Sequence, residues 1–243
     1  MAQSTPAVSS EHAAACDALA ETVVDSSQIA TQVNSFLATF EASMKPGDGS
    51  IGDLNVTYPG LKPKLVAAMR PIVIEAANKY VVPYRAEMSQ LYCANLSIEE
   101  ARIAKAEMSA PAFRSFVQRT MQEVKFDGMV KDIIAEKDIT DSAVRAEYKS
   151  AATRVTITPD ESAAILRFLS SPTGRKLTAM NAKKAQIEAK WFNYSAPEDD
   201  RAIELAVINT MADHIALTDK GTADELRKAM LAEFVKPVAS PTK

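Results

Sequence analysis

The residues best suited to holding a ligand stand together in the run Ser171-Pro172-Thr173-Gly174-Arg175-Lys176. The first turn of a helix presents free amides and a positive dipole end. Ser171, Thr173, Arg175 and Lys176 would add donors there, and Gly174 would let a phosphate or a lipid headgroup come close to the backbone. The same residues equally build a packing corner. In that reading Ser171 is the N-cap, Pro172 the first helical residue and Gly174 the gap for a crossing helix, with Arg175 and Lys176 simply solvated. The packing reading carries more weight, because caps and close helix contacts require these residue types without a ligand. A second group, Trp191, Phe192 and Tyr194, either lines a pocket for an apolar molecule or staples a helical core.

Catalytic grammar is sparse. The chain has no Gly-x-Ser-x-Gly elbow, no His-Glu-x-x-His and no phosphate-binding loop. Asp48, Ser50 and Asp53 resemble a calcium loop but lack its ligand density. The 10 methionines are dispersed and read as core filling, and Cys16 and Cys93 lack the Cys-x-x-Cys spacing of a redox or zinc site. His214, on a stripe with Val207, Thr210 and Met211, reads as a structural imidazole. No metal and no cofactor is expected. A net charge of −3 with both signs interspersed gives no cationic field for a phosphate backbone, so nucleic acid is not an expected partner.

The elements that position these residues are helices. Alanine is abundant while glycine is held to 7 residues, and four of those, Gly47, Gly49, Gly52 and Gly60, crowd into one stretch read as a long loop over 45–60. Periodicity predicts N-terminal helices over 10–95, broken near Asp25 and again by this loop, with kinks or breaks at Pro71 and Pro83. Helices are then expected near 97–108, 111–137, 140–155, 158–169 and 172–193. C-terminal helices follow over 197–236, and the polar tail 237–243 is expected to fray. No run approaches the length of a membrane span. Short connections argue for a single all-α domain over 1–243, a helical bundle built of αα-hairpins.

Four pairs have capping-box spacing, namely Ser97 with Glu100, Thr158 with Glu161, Ser195 with Glu198 and Thr222 with Glu225. Two of them belong to an internal repeat. At an offset of 61 residues, Leu96-Ser97-Ile98-Glu99-Glu100 meets Ile157-Thr158-Pro159-Asp160-Glu161, Met108-Ser109-Ala110-Pro111 meets Leu169-Ser170-Ser171-Pro172, and Arg114 meets Arg175. Each copy spells a capped helix, a corner and a helix opened by proline, giving copy one over 96–137 and copy two over 157–194. The copies differ where Ala112-Phe113 faces Thr173-Gly174.

Phe168-Leu169-Ser170-Ser171-Pro172-Thr173-Gly174-Arg175-Lys176 resembles the Phe-Tyr-x-Ser-Pro-x-Gly-x-Lys signature of the bacterial exported domain-of-unknown-function 2059 family, over about residues 140 to 195. The resemblance implies an exported helical protein. Residues Ala2-Gln3 behind Met1 agree with a secretory signal cut at a small-x-small site, against a native cytosolic start, and the implied location is the periplasm. In an oxidising compartment Cys16 and Cys93 would form a disulfide; otherwise they are two buried thiols. The expected function is non-enzymatic binding of an apolar or lipid-like ligand within the bundle. The alternatives are an accessory protein docking another envelope protein through a helical face, and a hydrolase with an unrecognised site.

Overall fold

In the computed structural model, which describes residues 9–47 and 51–234, the fold is all-α, with no strand among the described residues. Thirteen helices are described: α1 Ser10–Val23, α2 Ile29–Ser43, α3 Ile51–Thr57, α4 Leu61–Asn95, α5 Ile98–Ser109, α6 Pro111–Gln122, α7 Asp127–Ile134, α8 Asp141–Arg154, α9 Pro159–Ser170, α10 Pro172–Ala179, α11 Asn181–Phe192, α12 Pro197–Ile215 and α13 Lys220–Phe234. The internal contacts gather into two compact units. Unit 1 is Met1–Phe36 with Ala77–Tyr194, and unit 2 is Leu37–Ala76 with Ser195–Lys243.

In unit 1, α1 packs on α5, α8 on α11, α6 on α9 and α10 on α5. The alanines make the closest of these approaches possible. Ala20, Ala101 and Ala104 are buried in one core with Cys16, Leu19, Met88 and Tyr92, where small side chains let helix backbones come together. The disulfide between Cys16 and Cys93, with Cα atoms 5.6 Å apart, ties α1 to α4 across 77 residues. Nearby the Ser89 hydroxyl donates to Asp17 at 2.5 Å, adding a polar clamp between the same two helices. In unit 2, Leu61, Leu65 and Met211 form a buried core with Leu54, Val207 and Leu226 against it.

Several boundaries depart from the sequence reading, each for a local reason. The helix expected over 111–137 divides into α6 and α7 because Phe126 adopts a left-handed backbone (φ 58°). Its ring is buried edge-on to Phe36 and Phe192, at 5.9 and 6.3 Å between centroids, and this burial holds a conformation that a bulky residue otherwise avoids. The helix expected over 172–193 divides into α10 and α11 at Met180, whose side chain is buried in the unit 1 core. The 45–60 stretch is not all loop, since it contains α3. There a Cβ at Gly52 would lie 2.1 Å from the Lys45 carbonyl oxygen, so this helical glycine answers a close approach of the backbone. α4 is one helix from Leu61 to Asn95 despite Pro71 and Pro83; each proline removes one ladder bond without ending the helix.

Two capping boxes form as expected, at Ser97–Glu100 and Thr158–Glu161. The other two do not. α12 has Ala196 at its N-cap, with no side-chain cap, and the Ser195 hydroxyl donates to Asp200 instead. At α13 the Thr222 amide is taken by Asp219, three residues earlier, because an aspartate can accept from both the amide and the hydroxyl of Thr222. The expected fraying of 237–243, and Asp48 and Ser50, lie outside the described residues; Asp53 accepts from the Gly47 amide at 2.7 Å.

Candidate functional site

The run from Ser171 to Lys176 forms the corner between α9 and α10, and its polar groups satisfy one another. The Ser171 hydroxyl accepts from the Gly174 amide at 3.0 Å and donates to the Phe168 carbonyl at 2.6 Å. Thr173 and Gly174 are buried. Arg175 donates to the Ser170 carbonyl at 2.7 Å, and Lys176 is paired with Glu100 of α5 at 2.7 Å. Gly174 is the tightest point. A Cβ there would lie 2.0 Å from the Phe168 carbonyl oxygen, so no side chain fits between α9 and α10. The structure therefore brings all five motif residues together, with Thr173 and Gly174 buried and Arg175 and Lys176 exposed but bonded to the fold.

The two hairpins share most of their helix bounds. α5 and α9 begin and end 61 residues apart at both ends, and α6 and α10 begin at the same offset, whereas α6 continues to Gln122 and α10 stops at Ala179. The capping glutamate of each hairpin is held by a cation from the other. Lys176 on α10 binds Glu100, and Arg119 on α6 binds Glu161 at 2.8 Å. The Arg119 guanidinium, followed by the Thr158 amide, holds the Glu161 carboxyl down to about 2, and Lys176 lowers Glu100 in the same direction.

Trp191, Phe192 and Tyr194 divide between two groups of rings. Trp191 and Tyr194 gather around Tyr80, at 6.3 and 4.9 Å from its ring, while Phe192 lies against Phe126. Lys190 sits 5.2 Å above the Trp191 ring and is paired with Glu87. The indole Nε1 of Trp191 is buried without a hydrogen-bond partner.

Next to these rings along α4 and α11 lies a polar cluster that the motif search missed. The Tyr84 hydroxyl donates to Glu188 at 3.0 Å. Burial raises the Glu188 carboxyl above its ordinary range, against the Tyr84 bond and the Lys184 charge, and it lowers the Lys184 ammonium. Tyr84, Tyr148 and Tyr92 are all pushed up, first by burial and then by the charge of Glu188. The Tyr92 hydroxyl, fully buried, has no partner. Such a cluster can hold a proton or offer donors to a polar group inside an otherwise apolar region. A signal for it exists in the sequence. Lys184, Glu188 and Trp191 follow i, i+4, i+7 along α11, and Tyr80 and Tyr84 fall on the apolar stripe of α4.

Both ring nitrogens of His214 have partners. Its Nε2 donates to the Pro59 carbonyl at 3.1 Å, which leaves Nδ1 to accept from Lys64 at 3.0 Å. Among the described residues, no helix is long and apolar enough to cross a membrane. No family model, no curated protein and no solved structure matches the chain.

Proposed function

We propose that this is an exported, non-enzymatic helical protein that binds an apolar or lipid-like molecule in unit 1. The family resemblance of the Phe168 to Lys176 motif and the Cys16–Cys93 pairing support export to the periplasm. One observation carries the ligand. The Trp191 Nε1, beside the Tyr80 and Tyr194 rings, and the Tyr92 hydroxyl, in the core against which Tyr84 packs, are buried without protein partners. An unsatisfied buried donor costs about 1–3 kcal/mol, and an amphiphile with an acceptor at one end would relieve it.

Trp191 is the only tryptophan, so its fluorescence reports on this region alone. Titration with palmitate and with a lysophospholipid, each below its micelle concentration, is expected to give a saturable spectral shift that Tyr92→Phe weakens. Native mass spectrometry is expected to find one bound molecule. An unchanged spectrum and a clean mass with both amphiphiles would overturn the reading. The accessory-protein alternative is favoured by Leu166 and Leu169, one turn apart on α9 and 60% and 41% exposed. A defined envelope protein recovered in a pull-down, and lost in Leu166→Ser, would favour it.

A further inference from the structure

The disulfide has a third neighbour. His12 stands four residues before Cys16, one turn earlier on the same face of α1, and Cys93 faces both from α4. A ring nitrogen of His12 and the two sulfurs all lie within 4.8 Å of one another. The Cys93 sulfur is also 3.6 Å from the His12 carbonyl oxygen. The imidazole is already oriented. Its Nε2 is 2.8 Å from the Leu96 carbonyl, and since a carbonyl only accepts, Nε2 is the donor, which leaves Nδ1 as the ring nitrogen that can offer a lone pair to a cation. A ring N–H anchored on a backbone carbonyl is the arrangement that fixes a metal-ligating histidine.

We propose that His12, Cys16 and Cys93 form a redox-gated site for a soft or borderline cation, closed while the disulfide is intact and opened by its reduction. The opening step is exchange with a dithiol. The Cys16–Cys93 S–S bond breaks as the dithiol forms its own, and two electrons and two protons pass to the protein sulfurs. A cation then displaces those two protons and bonds both thiolates and the imidazole. Two thiolates with one imidazole suit Cu(I), for which three ligands suffice, and Zn(II), which would add a water as its fourth. Tetrahedral zinc with bonds of about 2.3 Å needs sulfurs about 3.8 Å apart, within the reach of α-carbons 5.6 Å apart. Burial reinforces the demand for a cation. Cys16 is fully buried among Leu19, Tyr92 and Ala101, where thiolates without a counter-charge are costly. His12 and Cys93 are only half-buried, which gives the cation an entrance.

This site is independent of the amphiphile reading and is tested by metal alone. Protein reduced with a phosphine is titrated anaerobically with Zn(II) and with Cu(I) against chromophoric chelators, beside the oxidised protein, with helical circular dichroism followed throughout. The expected result is one equivalent of at least one cation in the reduced form and none in the oxidised form. Groups that merely orient a metal ligand are worth about 10- to 100-fold in affinity, so His12→Ala is expected to weaken binding at least about tenfold. Cys93→Ser is expected to abolish it. Four results would overturn the site: binding by the oxidised protein, binding by neither form, equal affinity in His12→Ala, or reduced protein that loses its helix signal and regains it with neither cation.

Discussion

The corners α5–α6 and α9–α10 share one backbone turn and make opposite demands two residues after their prolines. The Ala110 amide donates to the Glu107 carbonyl at 3.1 Å, and the Ser171 amide donates to the Phe168 carbonyl at 3.0 Å; both residues are extended, at φ −60° and −69°. Position 113 then carries a phenylalanine whose ring meets the Phe168 ring edge-on at 5.9 Å, while position 174 tolerates no side chain because the same residue's carbonyl fills the space. Both corners therefore close on Phe168, one through its ring and the other through its backbone. The cap and corner of each hairpin fix where its helices start and turn, and the residue after the corner decides how closely they approach.

Substitutions at the corners test this contrast. The largest effect is expected for Gly174→Ala, a loss of about 3 kcal/mol in urea unfolding, because overpacking outweighs the ~1 kcal/mol that alanine gains over glycine in a helix. A stabilised variant would show the two corners to be equally open. Phe113→Ala is expected to cost about 2 kcal/mol, less than the ~3–5 of a fully buried ring, since Phe113 is half-buried. If it costs nothing, the two hairpins do not depend on each other through Phe168. Caps come next. Ser171→Ala should lose about 1 kcal/mol, whereas Ala110→Ser should gain some tenths, because Ala110 caps α6 without a side-chain bond. Equal responses at the two positions would erase the difference between the corners.

Glu161→Gln tests the capping glutamates in acid. The Glu161 carboxyl is depressed from 4.5 to about 2, so it is charged in the fold where the unfolded chain is already protonated. Its stabilisation is complete above about pH 4.5 and is lost as the pH falls towards 2. The melting temperature of the wild type should fall across that window, and Glu161→Gln should flatten part of the fall. An unchanged slope would remove Arg119 from the contrast. The smallest effect is expected from Arg175→Ala, within about 0.5 kcal/mol in the same unfolding assay, since its guanidinium is exposed and binds only the Ser170 carbonyl.

What the sequence made legible was local chemistry. Ser97, Thr158, Pro111 and Pro172 announce helix starts that the fold keeps, because a cap and its partner lie within four residues. The breaks at Phe126 and Met180 left no such mark. Neither position is a glycine or proline, and what holds each is burial against residues distant in the chain. The same distinction separates the site residues. Gly174 could be read as a packing glycine from its neighbours alone, whereas Tyr84 and Glu188 are 104 residues apart and meet only once α4 and α11 are placed. His12 escaped notice for the same reason: its relation to Cys93 spans the loop that the disulfide closes.

The exchange of cations between the hairpins also orders events in time. Glu100 is synthesised 76 residues before Lys176, and at a translation rate of roughly 5–20 residues per second that is an interval of about 4–15 s. During it the first hairpin has its own cap but not its clasp, and the side chain of Glu100 is free to meet other cations. Arg119 then waits only 42 residues for Glu161. Glu161 precedes Lys176 by only 15 residues, so both clasps wait for the second hairpin, and the later-encoded hairpin is the one that finishes the earlier.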